Sequence, residues 1–507
     1  MVLRDFSSPL RKMRGPKNPS LIFGNFREME NDPRVTQKWR KQFGPTFQFK
    51  GLFNTRTLYT VDLTAIDHVL KHNNIYQKRS VARPANNRLV GEGLLAVEGE
   101  DHKRQRRVMN PAFGTAQIRS LMDVFVDKSI QLRDVWIQEI RGGSTARIDV
   151  LSGLSKMTLD VIGQAGFDYK FDSLNGDGTP NEIHDMFHAL LHAPNSARLR
   201  QLHAGPLLRL LPLPGRKLFK EARKKLFAIG NQMLSETKAA INTSGDPKSV
   251  SGGRDLLSLL VRANMSPDVP DHHRMSDSEV IGQIPTFFIA GHATTSSAIA
   301  WALHALSANQ SAQKKLREEL LSLPSETPTL EQLDSLPYLE WVVRETMRVH
   351  SPVSYVVRMA VTDDVLPLGT PYVDEDGTVH DTLLIPKGQM LRVPIVDIHT
   401  DPDIWGADAA DFRPERWEHV PEAVHELPGV WANLLTFLAG PHNCIGFRFS
   451  LAEQKALLFV LIRAFEFERA VPDQDIQLSS SALQSPFVKS ERNKGSQMPL
   501  IIKLYQA

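Results

Sequence analysis

One cysteine in 507 residues is the feature that constrains this chain most. A lone thiol cannot close an internal disulfide or complete a Cys-x-x-Cys metal site, so the fold must stand on its apolar core. The cysteine lies in Phe437-Leu-Ala-Gly-Pro-His-Asn-Cys444-Ile-Gly446. Gly440 permits a tight turn, since positive φ carries no steric penalty for glycine. Gly446, without a Cβ, lets the backbone lie close against a flat group. Phe437 supplies an aromatic wall against water. Amide N–H groups just after the cysteine can point back at its sulfur, as donors around metal-bound ligands do. Two readings stand: the sole thiolate ligand of a metal centre, or a structural cysteine in an ordinary turn. The full string, rather than an isolated Cys-x-Gly, favours the first.

Hydrophobic residues make up 41% of the chain, ample for a sizeable core, and the formal net charge of +3 is too small to suggest nucleic acid. Helical periodicity dominates, with short strand-like runs near 46–59, 356–361 and 498–504, so the expected fold is mostly α with small β-sheets. No linker divides the chain, and 243–253 reads as a surface loop. An N-terminal segment of residues 1–20 with a Pro/Gly hinge at Gly15-Pro16 precedes a single domain over 21–507. There is no P-loop or Gly-rich dinucleotide loop.

Three further signatures stand in order along the chain. An apolar helix expected from about 277 to 306 carries Ala290-Gly291-His292-Ala293-Thr294-Thr295. Thr329-Leu-Glu-Gln332 fits a capping box opening the helix that carries Glu345-Thr-Met-Arg348, whose acid and base share one face. Then Phe412-Arg-Pro-Glu-Arg416-Trp417 leads toward the cysteine. Together with the Cys444 string, these motifs resemble the cytochrome P-450 superfamily of haem-thiolate monooxygenases over nearly the whole chain. Their style is closest to eukaryotic, microsomal members, in particular fungal ones of secondary or xenobiotic metabolism.

The resemblance implies a P-450 fold with heme b between the long distal helix and the cysteine loop, its iron held by the Cys444 thiolate. Such a ligand pushes electron density toward oxygen and favours O–O cleavage. It makes Glu345, Arg348 and Arg416 a structural triad, whose buried carboxylate must be fully paired. On the distal helix, Gly291 gives dioxygen room and Thr294 offers it a hydrogen bond. His102 takes a position usually held by Trp, Arg106 and Arg358 match propionate-binding arginines, and His442 replaces a third. With Phe437, Gly440 and Gly446 these form the expected haem cradle, and the two histidines imply a weaker, pH-sensitive grip. Ala290, Leu94 and Val356, with the segment 80–95, would help shape the pocket.

The family's acid next to Thr294 is replaced by Ala293. Protons must then come through water, Thr294 or His292, although His292 lies about 100° around the helix from Ala293. A different proton route (a substrate hydroxyl or peroxide) and an introduced inactivating substitution stay open beside that.

The function implied is hydroxylation or epoxidation of a lipophilic small molecule (terpenoid, fatty or aromatic), using O2 and electrons from NADPH through a separate cytochrome P-450 reductase, with cytochrome b5 as a second donor. Lys103, Arg104, Arg107 and Arg448 are expected as exposed cations that steer an acidic reductase domain. No apolar run of ~20 residues precedes Gly15-Pro16, so association with the cytosolic face of the endoplasmic reticulum is expected to be peripheral or to need an anchor absent here. The apolar segment 205–215 and its basic flank from Arg216 to Lys224 would serve such contact. The alternatives are haem-thiolate chemistry driven by peroxide or rearrangement, and a catalytically impaired haem-binding protein.

Overall fold

The computed structural model describes residues 9–78, 91–140, 143–174, 186, 216–243, 255–266, 269–478 and 483–506. Seven helices position the site: α1 (Leu63–Lys71), α2 (Gly99–Met109), α3 (Met122–Ile140), α4 (Val150–Phe167), α5 (Asp277–Ala308), α6 (Pro337–Val349) and α7 (Phe447–Ala464). The longest, α5, starts at a complete capping box in which Ser276 and Glu279 satisfy each other's backbone N–H groups. It is apolar nearly all round and buried over most of its length, as a central helix must be. α4 lies along one side of it, and α7 packs against both α3 and α5.

The sheets are small. The largest has five strands in the order β1 (Thr46–Lys50), β2 (Arg56–Thr60), β5 (Met390–Val393), β4 (Val356–Ala360), β3 (Tyr76–Lys78). Its pairs are antiparallel except β2 with β5. A three-stranded sheet joins Thr145–Asp149, Pro499–Leu504 and Phe465–Arg469, and Asp364–Val373 pairs with Val379–Ile385 as a hairpin. The mostly helical expectation holds. The run at 46–59 is two strands, because the chain turns between Gly51 and Thr55.

Two details differ from the sequence reading. The capping box at Thr329 and Gln332 is present, but it opens a separate helix of five residues, Leu330–Asp334. The chain breaks at Leu336 and α6 begins afresh with Pro337 in its first turn, where a missing N–H does no harm. The chain also joins the body before residue 21. Leu10 and Met13 are buried, and Arg14 and Met13 carbonyls accept bonds from Gln48. Among the described residues, no helix is long and apolar enough to cross a membrane. The segments 80–90, 205–215 and 244–253 lie outside the described residues, whereas the basic flank from Arg216 onward opens a helix, Arg216–Thr243.

Candidate active site

The cysteine loop is closed by its own backbone. Cys444 N–H donates to the Phe437 carbonyl at 2.9 Å, and Asn443 N–H to Gly440. Gly440 adopts φ +67, and a Cβ there would collide with the Leu70 carbonyl at the end of α1. Its role is thus to seat the loop on α1, a reason the sequence did not reveal. Phe437 is buried among Trp431 and Phe447, while a Cβ on Gly446 would meet only the Phe113 ring, at 3.8 Å. The Cys444 side chain has accessible surface, yet it sits deep enough for burial to raise its thiol pKa. The Gly446 N–H and the Arg106 charge oppose that rise, as donors to a thiolate should.

Behind this loop stands a buried polar network. Arg348 donates Nε to Glu345 Oε2 (2.9 Å) and Nη2 to Glu345 Oε1 (2.7 Å), and its remaining donors reach the carbonyls of His399, Ala409 and Asp411. Trp417 Nε1–H and Arg413 N–H complete the carboxylate's partners at 3.0 and 2.9 Å. Arg416 is the outer member. It stands 3.5 Å from Glu345 but 2.7 Å from Asp408, and also binds the Trp405 and Asp408 carbonyls. The expected triad is therefore present, with Trp417 closer to its centre than Arg416. His399 Nε2 accepts the Leu435 N–H at 2.8 Å and ties this network to the segment before the cysteine.

On α5, Ala290 is exposed and Gly291 and Thr294 are partly so, within a stretch otherwise buried. Residues i and i+4 share a face, so Ala290 and Thr294 form one accessible stripe. Thr294 Oγ1–H donates to the Ala290 carbonyl at 2.6 Å. The Cα of Gly291 faces α4, where a Cβ would come within 3.1 Å of Ile162, so this glycine also serves close helix packing. Ala293 is 2% exposed. His292 is buried with Nε2 2.8 Å from Ser155 Oγ on α4. That contact turns its Nε2 toward α4. Next along, Thr295 and Ser450 hydroxyls, 3.1 Å apart, join α5 to the first turn of α7.

The four expected propionate residues fare differently. Arg358, on β4, is 6% exposed; among the described residues no carboxylate comes within ion-pair distance of it, its one hydrogen bond goes to the Val357 carbonyl at 3.3 Å, and the nearby Glu98 charge only partly offsets the cost of its burial. Arg106 is committed to the cysteine loop, donating to the Asn443 carbonyl and to its Oδ1 (2.6 Å), and to Asn110. His102 and His442 stack with ring centroids 3.9 Å apart, and His442 Nε2 stands 3.0 Å from Glu98. Burial, then the neighbouring His442 and Lys78, push His102 down to about 3. Burial likewise outweighs Glu98 and lowers His442. In the chain alone, burial thus favours the neutral form of both rings. Burial alone would raise Glu98, but His442 and Lys78 hold its carboxyl at about 2.

The wall segment from Gly91 to Val97 was legible only in part. Leu94 is buried and Val356 half-buried on β4. Gln283 of α5 accepts the Leu94 N–H at 2.9 Å and donates to Gln105 of α2, which in turn holds the Glu92 carbonyl. Gly93 and Gly282 meet backbone to backbone: a Cβ on Gly93 would collide with the Gly282 carbonyl, and one on Gly282 would lie 2.8 Å from Gly93 N. Arg104, expected as a free surface cation, instead pairs with Glu279 at 2.5 Å. Lys103, Arg107 and Arg448 are exposed as expected.

A buried guanidinium without an anion is costly, so Arg358 fits a carboxylate-bearing group. An accessible thiol with an N–H aimed at it fits a thiolate–metal bond. These residues would suit haem, Arg358 for its carboxylates and Cys444 for its iron, with Arg106 holding the loop that carries the cysteine.

With that geometry described, comparison with known proteins places the chain. The Cytochrome P450 family model matches residues 13–489. Cytochrome P450 monooxygenase 205 of Postia placenta is 49% identical over 517 residues, covering 100% of this chain and 95% of the relative. Cytochrome P450 monooxygenase 128 of the same fungus is 47% identical, covering 99% and 94%. Cytochrome P450 monooxygenase claP of Ampulloclitocybe clavipes is 35% identical over 520 residues, covering 99% and 94%. The chain belongs to the cytochrome P450 family and is a P450 monooxygenase. Membership implies haem with a thiolate-ligated iron, dioxygen and a redox partner.

Proposed function

We propose that this monooxygenase inserts one oxygen atom into a C–H or C=C bond of a lipophilic terpenoid, fatty or aromatic molecule. NADPH supplies two electrons through a separate cytochrome P-450 reductase, aided by cytochrome b5, and the second oxygen atom leaves as water. Haem, when bound, supplies the activation of dioxygen. Cys444 would hold its iron, with the Gly446 N–H stabilising the thiolate. Arg358 is the principal cation for its carboxylates, and Arg106 fixes the loop on which Cys444 sits. Ala290, Gly291 and Thr294 face the reacting side, and Leu94 and Val356 contribute the wall.

The observation that carries this reading is the Cys444 loop: an accessible thiol, a donor N–H two residues on, and an aromatic residue closing the loop. Lys103, Arg107 and Arg448 would steer the reductase, at the cytosolic face of the endoplasmic reticulum. Thr294 must turn its hydroxyl from the Ala290 carbonyl to donate elsewhere, because Ala293 offers no carboxylate and His292 is turned to Ser155. This supports proton supply by water along the accessible stripe. It equally motivates the second reading, in which peroxide replaces O2 and NADPH.

The test combines purified protein, reductase and NADPH with a panel of terpenoid, fatty and aromatic compounds, reading NADPH consumed, peroxide released and product formed. Product in step with NADPH supports the first reading. Product with added peroxide alone, and none with NADPH, supports the second. Turnover by neither leaves an impaired haem-binding protein.

A further inference from the structure

We propose that Lys78 and Glu98 form a strut that ties the 94–97 segment to the cysteine loop. This rests on the reading of the site given above.

Lys78 ends β3, the edge strand of the five-stranded sheet. An ammonium has three N–H donors, and here they reach the carbonyls of Leu94 (3.2 Å), Leu95 (3.1 Å) and Val97 (3.0 Å). Those carbonyls converge on one point and would repel one another without a cation between them. The Lys78 backbone N–H donates to Glu98 Oε1 at 2.7 Å, and its ammonium lies 3.9 Å from the same oxygen. The other Glu98 oxygen is the one 3.0 Å from His442 Nε2, two residues before Cys444. Leu94, Lys78, Glu98 and His442 thus stand in one continuous row, whose last step is a 3.0 Å approach and not a hydrogen bond.

A lysine free in water keeps about 2 kcal/mol of side-chain entropy, which only a specific set of partners can offset. Lys78 is largely enclosed, and three carbonyls within four residues of chain accept from its ammonium. Gln283 fixes Leu94 from the other side, but that contact runs to α5 and α2 and does not reach the cysteine loop. Lys78 and Glu98 thus add what the glutamine pair lacks: a displacement of the wall is felt beside the thiolate, and the reverse.

The test is hydrogen exchange, followed peptide by peptide on haem-loaded protein. The wild type is first checked for the carbon monoxide spectrum of a thiolate-ligated haem, whose absence sinks the site reading rather than the strut, and each variant is then required to show the same spectrum. Lys78→Met is expected to speed exchange about fivefold or more in both 94–98 and 440–446, the scale of losing a net hydrogen bond. Glu98→Gln should speed 440–446 by a similar factor while 94–97 stays within about twofold, because the lysine still holds its carbonyls. Lys78→Arg, which keeps charge and donors, should restore both segments. Faster exchange in Lys78→Met confined to 94–98, or spread evenly over every peptide, overturns the proposal, as does no change at all.

Discussion

Arg348 and Arg358 are both buried, at 0% and 6% exposure, yet their surroundings are opposites. Arg348 satisfies its guanidinium entirely within the chain, on one carboxylate and three carbonyls. Arg358 finds one weak carbonyl contact. The difference separates what holds the molecule together from what the molecule holds. A charge completely paired by its own chain is architecture, and a buried charge with no carboxylate in bonding distance, only the more remote Glu98, is a seat for a ligand.

The comparison breaks most easily at its centre. Arg348→Ala leaves Glu345 buried without its cation and should cost about 3–5 kcal/mol, read as a lowered denaturant midpoint with or without haem. Arg358→Ala should leave haem-free stability unchanged or improved while haem leaves roughly 10–100-fold faster, the worth of a charged hydrogen bond. Transfer of haem to an acceptor apoprotein measures it. Equal loss of haem-free stability in the two variants would erase the distinction.

Acid sharpens it further. Burial, then Arg348, holds His399 down at about 3, against an unfolded value near 6.5. His350, buried against Trp301, is likewise held at about 3 by burial first and by neighbouring cations. Between those values the unfolded chain binds protons that the folded one refuses, so stability is full above about pH 6.5 and falls as pH drops toward 3. Each such histidine contributes a slope of up to about 1.4 kcal/mol per pH unit. His399→Asn should flatten the acid limb of denaturant midpoints measured between about pH 4 and pH 8, by up to that slope. The smallest effect belongs to the rim: Asp408→Asn, on a partly exposed side chain, should cost about 1 kcal/mol or less.

How much of this could be read in the sequence depends on distance along the chain. The Cys444 string, the Glu345/Arg348 pair and the long helix through Thr294 are local patterns, where spacing alone sets which side chains share a turn or a face. Partners that meet only through folding were not legible. Nothing near Glu98 points to His442, nothing near Arg104 points to Glu279, and nothing in Lys78 announces three carbonyls some 16 to 19 residues on. Gly440 and Gly291 were recognised as necessary, but the atoms that forbid a side chain there belong to Leu70 and Ile162. The capping box at Thr329 was read correctly, and its helix too long, because a break at Leu336 followed by Pro337 is compatible with either one bent helix or two.

The contact of Gly93 with Gly282 sets a rule for how this pocket can diversify. A Cβ on either glycine would run into the other segment's backbone, and on Gly93 into the Thr286 hydroxyl as well, so neither tolerates replacement. In the reading proposed above, new substrate preferences are therefore confined to the side chains borne by a wall of fixed backbone position. Leu94 can change size or polarity there, but the distance of the wall from α5 is not a free variable.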